Sequence, residues 1–334
     1  MKKLASLILL TALLAVTLLS SCAKDDGIIP VRIGYFPNIT HSQALVAKAQ
    51  GTYETALGED CKVSWLSFNA GPSEIEAMFA GEVDIGYIGP IPAINGYYKS
   101  KGDIQIIAGA TNGGAVLVTR SDLVLTDIKQ LDGLKVAIPQ LGNTQHLSLL
   151  HILSENGLKS ADKGGTVTVI PSENADTQTL MDKGDIDAAL VPEPWGARLV
   201  NDIGANVMLD YRGVWMDGDY STAVVVVKTD FLKKHPDIVE EFLRAHASTT
   251  DFINENKETA KSIVNEQILS LTQKSLDQKV LDEAFERMII TTDPAAKSVM
   301  AFIDIYKNEG FIESSDGKEG LIDTSILEKI NTAE

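Results

Sequence analysis

Two stretches of this sequence repeat one another, and the repeat limits what the chain can fold into more than any other feature. Ser73 to Pro92 reads SEIEAMFAGEVDIGYIGPIP, and Asp176 to Trp195 reads DTQTLMDKGDIDAALVPEPW. At an offset of 103 residues Met78 falls on Met181, Gly81 on Gly184, Glu82 on Asp185 and Asp84 on Asp187. Each copy reads as an amphipathic helix closed by glycine, then an acidic residue, then a buried strand. Glycine suits the left-handed backbone that ends a helix. Val83–Ile88 and Ile186–Val191 are apolar on both faces, as parallel strands covered by helices are. The same offset lays Arg32-Ile33-Gly34-Tyr35 on Lys135-Val136-Ala137-Ile138, two further strands, each followed by a polar loop and a helical pattern. Two units of one β-α-β plan predict an α/β chain with two lobes.

In open parallel sheets, ligands sit beyond the carboxyl ends of the strands. Helix N-termini point there with unpaired N–H groups and partial positive charge, which suits an anion. The loops in question are Phe36–Ser42, Gly89–Asn95, Gly142–His146 and Pro192–Gly196, rich in Gly, Pro, Asn, Thr and His. Two stretches read as crossings between lobes: Ile104–Gly109 running through Ala110–Gly114 into Ala115–Thr119, and Tyr220–Thr222 running into Ala223–Val227. They divide the chain into lobe one, 31–112 and 222–330, and lobe two, 113–221. From Phe231 onward apolar residues fall near helical spacing, and His235-Pro236-Asp237 opens the longest helix.

The N-terminus reads as an export signal. Lys2 and Lys3 precede an apolar run from Leu4 to Leu19, a pattern of secretory leaders and short of the roughly 20 residues a spanning helix needs. The run ends in Leu19-Ser20-Ser21-Cys22, which resembles a bacterial lipobox; an ordinary signal peptide is the alternative. On the lipobox reading residues 1–21 are removed, Cys22 is acylated, and residues 22–30 form a polar tether. Such a protein is extracytoplasmic and touches the membrane through its lipid alone. With Cys22 acylated, Cys61 has no partner, so no disulfide or cysteine-based metal site can form within the chain. Cys61 precedes a strand pattern and is expected to be an inert, buried thiol.

Hydrophobic residues make up 44% of the sequence, enough for two real cores. The net charge of −17, or −19 once Lys2 and Lys3 are removed, argues against nucleic acid as a partner. It leaves a small anion possible, because a cleft can be locally positive.

The motifs, taken in order, resemble the solute-binding proteins of nitrate, sulfonate, taurine and thiamine-precursor ABC importers. The resemblance is carried by GYFPNITHSQALVAKAQG, GPSEIEAMFAGEVDIGYIGPIPAINGY, IKQLDGLKVAIPQLGNTQHLSLLHILSENGL, DKGDIDAALVPEPWGARLV and STAVVVVKTDFLKKHPDIVEEFLRAH, across about residues 31–260. It implies a type II periplasmic-binding-protein fold, two α/β lobes joined by two hinge strands. It also implies an ABC permease and ATPase as partners, a monomeric chain, and no cofactor. By position the family's ligand contacts fall on Asn38, Thr40, His41 and Gln43, on Gly89, Pro90 and Ile91, and on Asn112 and Gly113. They continue with Asn143, Thr144 and His146, then Glu193, Trp195, Tyr220 and Ser221. Some nitrate-binding relatives have basic residues in the pocket, and no Lys or Arg stands in these loops. Arg212 is the nearest basic candidate. An aliphatic sulfonate or taurine-like anion is therefore expected ahead of nitrate or another oxyanion, with a neutral thiamine precursor last.

Each of these residues has a plainer reading. His41 and His146 could be loop histidines, and Asn143 and Thr144 helix caps. Trp195 could stack on a ligand or close the core of lobe two. Glu193 would repel an anion and so either pairs with a donor or accepts from a ligand N–H. Tyr97, Tyr98 and Trp215 read as packing or rim aromatics. Asp84 and Asp187, at strand starts, read as structural. No nucleophile elbow, HExxH or phosphate-binding loop is present. The thiamine-pyrimidine synthases of similar fold carry a cysteine-rich motif that this chain lacks. A binding protein is expected rather than an enzyme, and no metal site.

Overall fold

The computed structural model describes residues 27–333. The leader, Cys22 and residues 23–26 of the tether lie outside the described residues. The first part of the chain runs β1 (Ile29–Tyr35), α1 (Ser42–Gln50), α2 (Thr52–Leu57), β2 (Cys61–Ser67), α3 (Gly71–Phe79), β3 (Ile85–Ile88), α4 (Pro90–Ser100) and β4 (Ile104–Gly113). The middle part runs β5 (Ala115–Thr119), β6 (Lys135–Ile138), α5 (Thr144–Glu155), β7 (Thr168–Pro171), α6 (Asn174–Asp182), β8 (Ala188–Pro192), α7 (Trp195–Ile203), β9 (Asn206–Leu209) and the short α8 (Tyr211–Val214). The chain then returns through β10 (Ser221–Lys228) into α9 (Thr229–Lys234), α10 (Pro236–Glu255), α11 (Lys257–Thr272) and α12 (Gln278–Glu286). It finishes with β11 (Met288–Ile290), α13 (Ala296–Asn308) and α14 (Ser325–Ala333).

The strands form two sheets, ordered β11-β4-β10-β3-β1-β2 and β7-β6-β8-β5-β9. Their parallel halves, β2-β1-β3 and β7-β6-β8, have the same order, and the repeat is exact down to single atoms. Asp84 accepts from the Arg32 N–H at 3.0 Å, and Asp187 accepts from the Lys135 N–H at 2.9 Å. The Arg32 carbonyl accepts from the Asp84 N–H, and the Lys135 carbonyl from the Asp187 N–H, both at 2.9 Å. The two aspartates therefore staple strand starts together, far from the carboxyl ends. Gly81 and Gly184 have φ of 76° and 72°, the left-handed backbone that ends the preceding helical turn.

Each sheet buries apolar side chains on both faces. In the first lobe one face carries Ile33, Leu45, Tyr53 and Phe242, and the other Met78, Ile94, Phe302 and Tyr306. In the second, Leu149 and Leu190 lie on one face and Val118 and Val191 on the other. Fully burying one such side chain stabilises by about 1.5–3 kcal/mol. A buried polar chain crosses the first core. His246 Nε2–H donates to the Gly109 carbonyl at 2.9 Å, so Nδ1 accepts from the Tyr87 hydroxyl at 2.8 Å, and the Tyr53 hydroxyl donates to Tyr87. Burial pulls His246 down to about 4, which keeps the ring neutral and this direction fixed.

The crossing strand is longer than Ile104–Gly109: β4 continues to Gly113, held by β10 on one side and β11 on the other. Gly113 and Gly114, with φ of 70° and 77°, then turn the chain into the second sheet. Cys61 is half-buried on the edge strand β2, and burial, then Asp60 and Asp237, push its thiol pKa up. Among the described residues no helix is long and apolar enough to cross a membrane.

Candidate functional site

Between the carboxyl ends of the two sheets lies a chamber of about 20 Å³. Lobe one contributes Phe36, Asn38, Thr40 and His41 after β1, Asn69, Ala70 and Gly71 after β2, and Gly89 and Pro92 after β3, with Thr222 from β10. Lobe two contributes Pro139, Asn143, Thr144 and Gln145 after β6, Asn174 after β7 and Pro192 from β8. No charged side chain lines it. What makes it suit an anion is the backbone: α3, α4, α5 and α6 all start at its wall. The free N–H groups of their first turns carry partial positive charge, although prolines remove some of them: Pro72 in α3, and Pro90 and Pro92 in α4. A roomier groove of about 410 Å³, holding Lys163, Glu309 and the end of α13, lies on the outer seam between the lobes. It is away from the strand ends, and Lys163 and Glu309 neutralise each other across it.

The lining side chains are held from behind. His41 Nδ1 accepts from the Phe36 N–H at 3.3 Å, which leaves the proton of the neutral ring on Nε2. Burial pulls His41 down to about 3, so the ring stays uncharged. Asn143 caps α5: its Oδ1 accepts from the His146 N–H at 2.8 Å, and its Nδ2 donates to Gln145 Oε1 at 3.0 Å. Thr144 Oγ1 and Asn174 Oδ1 are buried without a hydrogen-bond partner. The lobes meet closely here, and a Cβ on Gly89 would collide with the Thr144 hydroxyl. Asn69 Nδ2 donates to the Pro139 carbonyl at 3.4 Å, and Ser73 meets Gln140, both across the cleft.

Of the sixteen residues singled out in the sequence as ligand contacts, Asn38, Thr40, His41, Gly89, Asn143 and Thr144 come together on the chamber wall. The others stand behind it. Gln43 Nε2 donates to the Ala110 carbonyl at 2.8 Å, and Pro90 and Ile91 are buried in the first turn of α4. Asn112 and Gly113 lie within β4, and Tyr220 belongs to the core of lobe two. Ser221 accepts nothing from the chamber; its N–H donates to Ser298 Oγ at 2.9 Å. His146 Nδ1 accepts from the Gly142 N–H at 3.0 Å, and its ring turns edge-on to Phe311. Burial pulls it down to about 4, with Asp162 opposing.

Glu193 and Trp195 link the lobes. Glu193 is fully buried, and its carboxylate accepts from Arg287 at 2.7 Å and from the Ala197 N–H at 2.9 Å. Burial pushes its pKa up against the pull of Arg287. Trp195 neither stacks on the chamber nor merely fills a core: its Nε1–H donates to Asn38 Oδ1 at 2.7 Å across the cleft. Arg212 is exposed and lies over the Tyr211 ring at 5.3 Å, off the chamber wall. Tyr97 donates to the Gly317 carbonyl and Trp215 packs on Phe302, so both are structural aromatics.

Sequence reasoning missed Asn69–Gly71 and Asn174. A signal was present, since the repeat offset lays Gly71 on Asn174, and α3 and α6 begin at those residues. Arg287 had no local signal. Among the described residues no group of three His, Cys, Asp or Glu side chains could hold a metal ion.

The model of the NMT1-like family matches residues 28–268. The chain belongs to the NMT1-like family. A Bacillus subtilis (strain 168) protein named for binding aliphatic sulfonates is 25% identical over 306 residues, covering 90% of this chain and 87% of that one. The taurine-binding periplasmic protein of Escherichia coli (strain K12) is 29% identical over 203 residues, 60% of each chain. Among solved structures, the alkanesulfonate-binding protein of Xanthomonas axonopodis pv. citri, bound to MOPS, superposes with a TM-score of 0.70 at 18% identity, covering 90% of this chain and 97% of that one. The NMT1-like chain thus has the periplasmic-binding-protein fold, two α/β lobes joined by crossing strands.

Proposed function

We propose that this chain is the extracytoplasmic substrate-binding component of an ABC importer. It captures a small organic anion, an aliphatic sulfonate or taurine-like molecule, between its lobes and delivers it to a membrane permease and its ATPase. The observation that carries this reading is the chamber itself: uncharged side chains, four helix starts, and a position at the ends of both parallel sheets. The relatives named for sulfonates and taurine support the ligand class. Lobe one is then 31–112 with 222–330 and lobe two 113–221, moving about Gly113–Gly114 and Tyr220–Thr222. Residues 1–21 are the export signal, and Cys22 carries the lipid that holds the protein at the membrane.

A second reading, nitrate or another small oxyanion, is favoured by size. The chamber is small, about 20 Å³, and a compact oxyanion fits it more readily than a sulfonate with a long organic part.

The test is a thermal-shift screen against sulfonates, taurine, nitrate, sulfate and a thiamine pyrimidine. A true ligand at 100 times its Kd stabilises by about 2.7 kcal/mol. If no sulfonate or oxyanion raises the melting temperature, the anion reading is wrong.

A further inference from the structure

Three lining side chains have their hydrogen-bonding sense decided by the protein itself. Asn38 Oδ1 is taken by Trp195 Nε1–H at 2.7 Å. Gln145 Oε1 is taken by Asn143 Nδ2 at 3.0 Å, and His41 Nδ1 by the Phe36 N–H at 3.3 Å. What each has left is a donor: the Asn38 amide NH2, the Gln145 amide NH2 and His41 Nε2–H. All three are more than nine-tenths buried and line the chamber. Other lining groups are not held this way. Asn174 Oδ1 and Thr144 Oγ1 have no partner, so each can turn to donate or accept, and Thr222, which donates its own proton to the Gly113 carbonyl, has only acceptor capacity left.

Of the three locks, two are built within one lobe and the third crosses the cleft. Asn38 belongs to the loop after β1, and Trp195 to the first turn of α7 in the other lobe. The Asn38 amide is therefore oriented when the lobes meet.

We propose that Trp195 is a positioning residue that couples closure of the cleft to specificity: its indole N–H turns the Asn38 amide so that Asn38, Gln145 and His41 together present three donors, and the headgroup oxygens that meet these three accept. This rests on the anion-binding function proposed above. A sulfonate satisfies such a chamber with three acceptor oxygens. A headgroup that turns an N–H or O–H toward one of these three donors leaves two donors face to face, and an unmatched buried polar group is costly. Asn38 released from Trp195 can flip its carbonyl inward and accept, so the discrimination is lost with the lock.

The experiment is calorimetric titration of the protein with methanesulfonate and with methanesulfonamide, which replaces one oxygen by an NH2 donor. Wild type and three variants, Trp195→Phe, Asn38→Asp and Arg212→Ala, are compared, with melting temperatures as the check on folding. Trp195→Phe changes no charge, so a change in the affinity ratio there reports on hydrogen-bonding sense, whereas Asn38→Asp adds an anion and its effect on methanesulfonate includes charge repulsion. Trp195→Phe keeps the ring and removes the N–H. It should weaken methanesulfonate about tenfold and methanesulfonamide less, narrowing the ratio. Asn38→Asp replaces the inward NH2 by an oxygen. It should weaken methanesulfonate by about a hundredfold or more while the sulfonamide holds or gains, and Arg212→Ala should leave both affinities unchanged. An unchanged ratio in Trp195→Phe, whether or not both affinities fall together, overturns the positioning role. If folded wild type binds neither probe nor any other sulfonate, the proposed function itself falls and takes this inference with it.

Discussion

Glu74 is fully buried in the first turn of α3, and neither carboxyl oxygen has a hydrogen-bond partner. Its carboxyl fits against β1 and β3 because both strands have glycine there; a Cβ on Gly34 or Gly86 would collide with it. Burial raises its pKa well above the ordinary 4.5, so the acid is neutral in the folded chain. The sign of the linkage follows. A raised folded pKa means that the unfolded chain loses this proton first, so stability is full below about 4.5 and declines as the pH rises toward the folded value. Glu74→Gln removes that decline. Its melting temperature should fall less than that of wild type between about pH 5 and pH 8, and parallel melting curves across that range would refute the buried neutral acid. Glu193 is the opposite case, a buried carboxylate that has found a cation. Removing one partner of a buried pair leaves the other charge stranded, at about 3–5 kcal/mol. Arg287→Ala should lose roughly that much in urea unfolding. The double variant Glu193→Gln with Arg287→Met should recover most of it, because neither charge is then buried alone.

At the scale of elements, the helix start at Gly142–Thr144 serves stability and binding at once. Asn143 caps α5 and also holds Gln145. Asn143→Ala should cost about 1 kcal/mol of stability as a lost cap, and weaken anion binding about ten- to a hundredfold by calorimetry. Thr144→Ala should weaken binding without the loss of stability, since its hydroxyl makes no protein bond. Arg212→Ala should be silent in both measurements. The elements themselves were largely legible in the sequence, because a repeat at fixed offset fixes strand, helix and turn together. Lys135–Ile138 matches β6 residue for residue, and the doubled Gly-acid-strand motif gave β3 and β8. The loops after β2 and β7 escaped although a strand pattern after Cys61 was legible: both are edge strands, partly exposed, and the stretch where each ends carries no clear signal. Pairings distant in sequence escaped too. Glu193 and Arg287 are 94 residues apart, and Asn38 and Trp195 are 157 apart. Local patterning shows that a buried acid needs a partner, and the folded topology decides which one. Glu74 lay on the helix face shared with Ala77 and Met78, so a burial signal existed; its glycine counterparts on two other strands did not stand out.

Across the whole molecule, among the described residues, the two lobes touch beside the chain crossings through apolar contacts, such as Trp215 on Phe302 and Leu147 in a core of lobe one, and through several polar ones. Trp195–Asn38 and Asn69–Pro139 lie at the chamber, Glu193–Arg287 at its back, and Lys163–Glu309 on the outer seam. The crossings run through Gly113 and Gly114, whose left-handed backbone can alter without a side-chain penalty. If the lobes part and close about these points, apparent affinity equals the intrinsic affinity reduced by the fraction already closed. A contact remote from the ligand then tunes binding through that fraction alone. Lys163 offers the cleanest test, because it touches Glu309 and the Phe311 ring and nothing that lines the chamber. Lys163→Met should raise the radius of gyration of the ligand-free protein in solution scattering. Saturating methanesulfonate should bring wild type and variant to the same smaller radius. The variant's affinity should fall by less than tenfold, because a partly exposed pair is worth about 1 kcal/mol or less, and added salt should shift wild type toward the variant. Equal radii with and without ligand in wild type, together with tight binding, would mean a preformed chamber and lobes that do not move.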